Sequence, residues 1–224
     1  MKIWKSAFRA SVPVLFGYVP LGAAFGVLFS SLGLPWYFST LSGLIVFAGS
    51  AQFLSVSLLA SRLGFLEIFL ATFTLNIRHL FYGFSFLKRY QGAPWKPYLV
   101  FGLTDETYSL LSARVEANQK EDQKFCLALT LINQCYWVFG CSIGAIFAGM
   151  FTIQTKGFEF ILTALFVVLA VEQWFAVRNY WPFIVGIIAS LAALFVFPAH
   201  FLLAAVGFAT IGFLFFSIGG RKDG

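Results

Sequence analysis

Hydrophobic positions in this chain form unbroken runs, without alternating polar partners. Residues 10–31, 36–60, 125–151 and 181–217 contain no charged side chain. A helix needs roughly 20 apolar residues to cross a bilayer, so each of the first three runs predicts one crossing. The fourth is too long for one and breaks naturally at Pro198, giving 181–197 and 199–217. Runs at 64–87 and 158–177 add two more. Transmembrane strands would alternate apolar and polar residues, which excludes a β-barrel. The pattern predicts an all-α, polytopic integral membrane helical bundle of seven transmembrane helices, some of them discontinuous. An eighth is predicted if the short segment 98–113 also crosses.

Composition agrees: 60% of the 224 residues are hydrophobic and 11% charged, against about 25% charged in soluble domains. The formal net charge of +6 does not indicate a nucleic-acid partner, because the basic residues sit in short connections and at the tails, as the positive-inside rule expects. With eight crossings the amino terminus is cytoplasmic, ten basic residues lie inside and four outside. With seven the split is nine to five and the amino terminus is outside. Both arrangements put the carboxy terminus in the cytoplasm. Lys2 and Lys5 resemble the start of a signal peptide, but the long apolar segment behind them reads as the first membrane helix.

The stretch 114–124 (RVEANQKEDQK) is the most polar connection and reads as a solvated linker. It joins halves 1–113 and 125–224 of a single transmembrane domain, 1–224. Across it runs a faint echo. Gly22 and Gly26 recur as Gly140 and Gly144, and Gln52-Phe53 recurs as Gln173-Trp174, the pattern of an internal two-fold repeat.

Candidate chemistry centres on Arg78 and His79 inside the third run. A guanidinium at mid-membrane costs about 2.5–3.5 kcal/mol on insertion scales, so it must face protein, a polar cavity or a ligand. On a helix Thr72, Asn76, His79 and Gly83 form one stripe, and Thr74, Arg78, Tyr82 and Ser85 a second beside it. Phe73, Ile77, Leu80 and Phe84 are left for lipid. Arg78 either braces neighbouring helices or faces a solute path, where its planar fork suits a carboxylate. His79 titrates near neutral pH and could carry protons.

Thr104 reads as an N-cap with Asp105 and Glu106 in the first turn behind it. These acids are either solvated near the surface or belong to a discontinuous helix facing Arg78 or an ammonium group. Gly49, Ser50 and Gln52 put small residues and an amide at mid-depth, where unwound backbone can hold a substrate. Glu172 is either a proton-coupling acid or an interfacial one. Cys126, Cys135 and Cys141 have no metal spacing. No HExxH, GxSxG or P-loop motif is present, so neither an enzyme nor a metal or other cofactor is indicated.

Four pieces of the chain carry a family resemblance: 20–26 (PLGAAFG), 47–53 (FAGSAQF), 75–83 (LNIRHLFYG) and 103–106 (LTDE). In this order and spacing the chain resembles the AzlC-type large subunits of bacterial branched-chain amino acid exporters. The resemblance implies a secondary-active, multi-pass permease of the bacterial cytoplasmic membrane that exports valine, leucine, isoleucine or other small hydrophobic amino acids. It also implies a small AzlD-like membrane subunit as partner. The physical reading supplies the candidate site. Arg78, Asn76, Gly49, Ser50, Gln52, Asp105 and Glu106 are the candidates for substrate, and His79, Asp105 and Glu172 for proton coupling. A channel or permease for another small or anionic solute, or a non-transporting scaffold, are the alternatives.

Overall fold

A computed structural model describes residues 2–61, 64–114, 118–150 and 180–197, together with 167, 171, 174, 201, 204, 205 and 207–212. All the regular structure among them is helical. The helices are α1 (Lys2–Ser30), α2 (Trp36–Ile45), α3 (Gly49–Ala60), α4 (Phe65–Phe86), α5 (Lys96–Phe101), α6 (Asp105–Ser112), α7 (Gln119–Met150) and α8 (Trp181–Val196). Among the described residues, α1 and α7 are the helices long and apolar enough, taken singly, to cross a membrane. The chain divides into two units, Met1–Arg62 with Leu75–Thr155, and Leu63–Thr74 with Lys156–Gly224.

In the first unit α1 lies along α7 with both chains running the same way. Ala7 shares a buried cluster with Phe125, Cys126, Ala128 and Leu129. Further along, a Cβ on Gly22 would stand 2.9 Å from the Trp137 carbonyl and 3.2 Å from the Gly140 Cα. One turn on, a Cβ on Gly26 would strike the Cys141 carbonyl, and one on Gly144 the Ala23 carbonyl. Only glycine lets two backbones approach this closely. The repeated Gly-xxx-Gly spacing thus has a direct cause: the two copies are the two sides of one seam.

The run 36–60 is not one spanning helix. It is a hairpin of two half-length helices, α2 lying against the carboxy-terminal half of α7 and α3 turning back from the tip past Trp137 towards Phe25 of α1. Descending, Ser39 donates to the Cys141 carbonyl at 3.2 Å, and Gln134 donates to the Leu44 carbonyl at 3.0 Å. Phe47 makes the turn with φ of 42°, a left-handed conformation costing roughly 1–2 kcal/mol for a residue with a Cβ. Ascending, Gln52 meets Ser42 and Trp137, and Phe53 packs edge-on to Phe25 at 5.6 Å.

The segment 98–113 behaves in the same way from the opposite end. The Gln91 carbonyl accepts from Gln119 and Gln123 at 3.3 and 2.9 Å. Nine residues past Gly102 the chain is back beside α7's first turns, where Arg89 holds both the Leu111 carbonyl and Asp122. Between those points the tip reaches Thr130, whose methyl touches Gly102, and Asn133, which donates to Thr107 at 3.0 Å. That is about 15 Å further along α7 at 1.5 Å per residue. The two tips meet there: the Phe47 ring is 6.2 Å from Phe101 and 3.7 Å from where Gly102 would carry a Cβ.

The polar stretch after Arg114 is also less solvated than its composition suggests. Gln119–Lys124 already belongs to α7, and Asp122 is 3% exposed, gripped by Arg89 at 2.7 and 2.8 Å. Arg114 lies over the Phe125 ring at 3.5 Å. A paired carboxylate can be buried where a lone one cannot. Tyr90, in the turn after α4, is fully buried, and burial pushes its phenol pKa up.

In the second unit α8 starts with Pro182 in its first turn and buries Ala189 and Ala193. Trp174 meets Tyr180 and Phe183 edge-on at 4.8 and 4.9 Å. Glu67, in the first turn of α4, accepts from the Gly64 amide at 3.1 Å.

Candidate functional site

The two hairpin tips each end at the start of a helix. Ala48 precedes α3 and offers its first turn no side-chain cap, so the opening amides of α3 are open to an acceptor. Thr104 precedes α6, and its hydroxyl accepts from the Thr107 amide at 3.3 Å. Asp105 then sits in the first turn, where the helix dipole favours a negative charge.

Arg78 of α4 joins these two helix starts. Its Nη2 donates to Ser50 Oγ at 2.8 Å and lies 3.0 Å from Asp105 Oδ2. The other Asp105 oxygen accepts from the Tyr82 hydroxyl at 2.8 Å. Tyr82 stacks on Tyr108 at 4.3 Å and receives His79 edge-on at 5.7 Å. The pair is not sealed: the Arg78 and Asp105 side chains keep 34% and 39% of their surface exposed. Behind them, Arg78 Nε is buried without a hydrogen-bond partner. The outward face of α4 is apolar, with Phe73, Ile77, Leu80 and Phe84 exposed, as a lipid-facing stripe should be.

Of the residues singled out from the sequence, Arg78, Ser50 and Asp105 are brought into direct contact. Gly49 stands next to Ser50 with its Cα against the Trp137 indole, 3.2 Å from where a Cβ would be. Gln52 is 1% exposed and spends its amide inside the hairpin, donating to Ser42 at 2.9 Å and accepting from Trp137 Nε1 at 2.8 Å. Glu106 turns away from Arg78 and accepts from the Tyr18 hydroxyl at 2.6 Å. That hydroxyl is also 2.7 Å from Thr104 Oγ1. Asn76 and His79 lie half-buried on α4. Glu172 lies outside the described residues, as does Gln173 of the echoed pair.

Tyr82 and Tyr18 are further polar contacts of the site. Tyr82 was legible as a neighbour of Arg78, one turn on along the same stripe. Nothing near Tyr18 in the sequence points to residues 86 and 88 positions later. Among the described residues no three His, Cys, Asp or Glu side chains gather as a metal site requires.

The arrangement can do one thing well: hold opposite charges a few ångströms apart, at the middle of the helical layer, beside uncapped amides. Comparison with known proteins fits such a membrane setting. The AzlC protein family model matches residues 13–151. The chain is 34% identical to the Branched-chain amino acid transport protein AzlC of Bacillus subtilis, over 95% of this chain and 85% of that one. It is 30% identical to an uncharacterized membrane protein of Helicobacter pylori, with 96% of both chains covered. It is 29% identical to the Inner membrane protein YgaZ of Escherichia coli, over 70% of this chain and 68% of that one. No solved structure matches the chain.

Proposed function

The chain belongs to the AzlC family, and we propose that it exports branched-chain or other small hydrophobic amino acids across the bacterial cytoplasmic membrane. The observation that carries this reading is the Arg78–Asp105 pair between the hairpin tips. A zwitterion needs a cation for its carboxylate and an anion for its ammonium. It can insert between these two side chains and give each a new partner, so neither charge is left bare in a low-dielectric setting. The carboxylate takes Arg78 with the open amides at Gly49 and Ser50, the ammonium takes Asp105, and Glu106 is the reserve acid beside it. Gln52 braces the hairpin that presents those amides. Asn76 shares the polar side of α4 and extends the binding surface.

A net-neutral passenger gains nothing from the membrane potential, so uphill export needs a coupled ion. Protons are the natural choice, with His79, Asp105 and Glu172 as carriers. A small AzlD-like subunit is the expected membrane partner.

The hairpins also change the reading of topology. If 36–60 and 98–113 return to the side they entered from, six segments of one transmembrane domain cross: α1, α4, α7, 158–177, 181–197 and 199–217. One crossing then separates α1 from α7, as their common direction requires. The cytoplasmic side collects Lys2, Lys5, Arg9, Lys88, Arg89, Lys96, Arg114, Lys120, Lys124, Arg178, Arg221 and Lys222. Only Arg62 and Lys156 remain outside. Twelve against two is a steeper bias than either hairpin-free count, which favours this orientation, with both chain ends in the cytoplasm.

The test is efflux. Cells expressing the chain, with and without an AzlD-like partner, are loaded with a valine-containing dipeptide, and release of free valine is followed. Export that is abolished in Arg78→Gln at unchanged membrane level supports the reading. Unchanged export in that variant would make Arg78 a brace and remove the proposed site.

A further inference from the structure

A second polar feature lies away from the tips, where α4 and α6 end and α7 begins. It is a recess of about 600 Å³ lined by Ser85, Lys88, Arg89, Ser112, Arg114 and Gln119, with Phe86. That volume is in the range of small-molecule sites, roughly 300–1,000 Å³. Three of its residues are cationic, and among the described residues the acid paired with them is Asp122. Asp122 is committed to Arg89 through both oxygens at 2.7 and 2.8 Å, while Arg114 Nε stands 3.8 Å from it. Lys88 is exposed and has no carboxylate partner among the described residues. Among the described residues, Lys88 and Arg114 therefore add positive charge beyond the Arg89–Asp122 pair, next to two hydroxyls and an amide.

Ser85 already donates to the Phe81 carbonyl at 2.8 Å, and Gln119 gives one amide hydrogen to the Gln91 carbonyl at 3.3 Å. The groups left for a phosphate are the cations, for its charge, with the Ser112 hydroxyl and the second Gln119 amide hydrogen for its oxygens. The recess opens at the end of the unit where Lys2, Lys5 and Arg9 of α1 and Lys120 and Lys124 of α7 are also exposed. Exposed Trp4 and Phe8 lie among them, the mixture found where a helix leaves the hydrocarbon. We propose that the recess binds a phosphate group, supplied by the headgroup of an anionic phospholipid through Lys88 and Arg114. Arg89 is the fixed wall, held by Asp122. Basic pockets between helices at the cytoplasmic face suit such headgroups. The inference is independent of the substrate site at Arg78 and uses none of its residues.

The full chain, purified and reconstituted, is examined by native mass spectrometry for retained lipid. Vesicles of phosphatidylcholine alone are compared with vesicles that also contain phosphatidylglycerol, and inorganic phosphate is titrated in a third arm. Phosphatidylglycerol is expected to be retained and to raise the melting temperature. Lys88→Gln with Arg114→Gln is expected to weaken retention by roughly twenty- to thirtyfold, at about fivefold per basic group. If inorganic phosphate alone reproduces the shift, and the same variants abolish it, the phosphate site stands with a soluble source. Should the double variant fold poorly, Lys88→Gln alone, at an exposed and unpaired position, must still show the fivefold loss. Equal retention of both lipids with no response to phosphate, or equal retention by wild type and variants, overturns the proposal.

Discussion

Gln52 donates a hydrogen bond to Ser42 at 2.9 Å across a turn centred on Phe47, each residue five positions from the tip. This bond closes the hairpin, and the other end of the same amide accepts from Trp137 on α7 at 2.8 Å. Gln52→Leu fits the space but leaves an indole N–H and a buried-side hydroxyl without their partner. Each orphaned group costs roughly 1–3 kcal/mol. The variant should melt measurably lower in a thermal-shift assay, with reduced membrane abundance.

The hairpins predict which loop positions share a side. In a background with Cys126, Cys135 and Cys141 replaced by alanine, single cysteines at Gly33 and Ser61 should both react with an impermeant thiol reagent added outside intact cells. Cysteines at Gly92 and Asn118 should react only after the membrane is permeabilised. Opposite labelling within either pair would mean that the intervening segment crosses.

The glycine seam predicts steep steric sensitivity. Gly144 faces the Ala23 backbone with no room for a Cβ. Gly144→Val should cost more than the roughly 1–3 kcal/mol of ordinary overpacking, because backbone cannot step aside as a side chain can. Gly149→Val, whose added side chain would start in open space, is the control. The check is the yield and melting temperature of both variants.

Sequence patterning made the α4 stripes legible, because a helix reports its faces through spacing alone. Thr104 as a cap before Asp105 and Glu106 was legible for the same local reason. The hairpins were not. A run such as 36–60 has the same apolar composition whether it crosses or turns back, and the contacts that decide it, from Gln134 to Leu44 and Trp137 to Gln52, join residues 85 to 90 positions apart. The burial of Asp122 was hidden likewise, since its partner Arg89 is 33 residues away.

That buried pair can be tested directly. Asp122→Asn removes the charge facing Arg89 and should destabilise by roughly 3–5 kcal/mol, as breaking one side of a buried ion pair does. Asp122→Leu combined with Arg89→Met should recover much of that loss. Chemical or thermal melts of the three proteins distinguish the outcomes.

Tyr82 shares Asp105 with Arg78. Tyr82→Phe deletes a single hydrogen bond, about 0.5–1.5 kcal/mol, so the apparent affinity for exported amino acid should weaken by no more than about tenfold. Asp105→Asn, which removes the proposed partner of the substrate ammonium, should abolish the proposed export at saturating substrate. Dose–response curves of efflux separate the two.

A seam in which main chains touch has one register and no slack. Along Gly22, Gly26, Gly140 and Gly144, neither rod can slide or roll past the other without atoms colliding. Whatever rearrangement carries a passenger from one face to the other must therefore leave α1 and α7 locked as a stationary post, with the lighter hairpins and α4 supplying the travel.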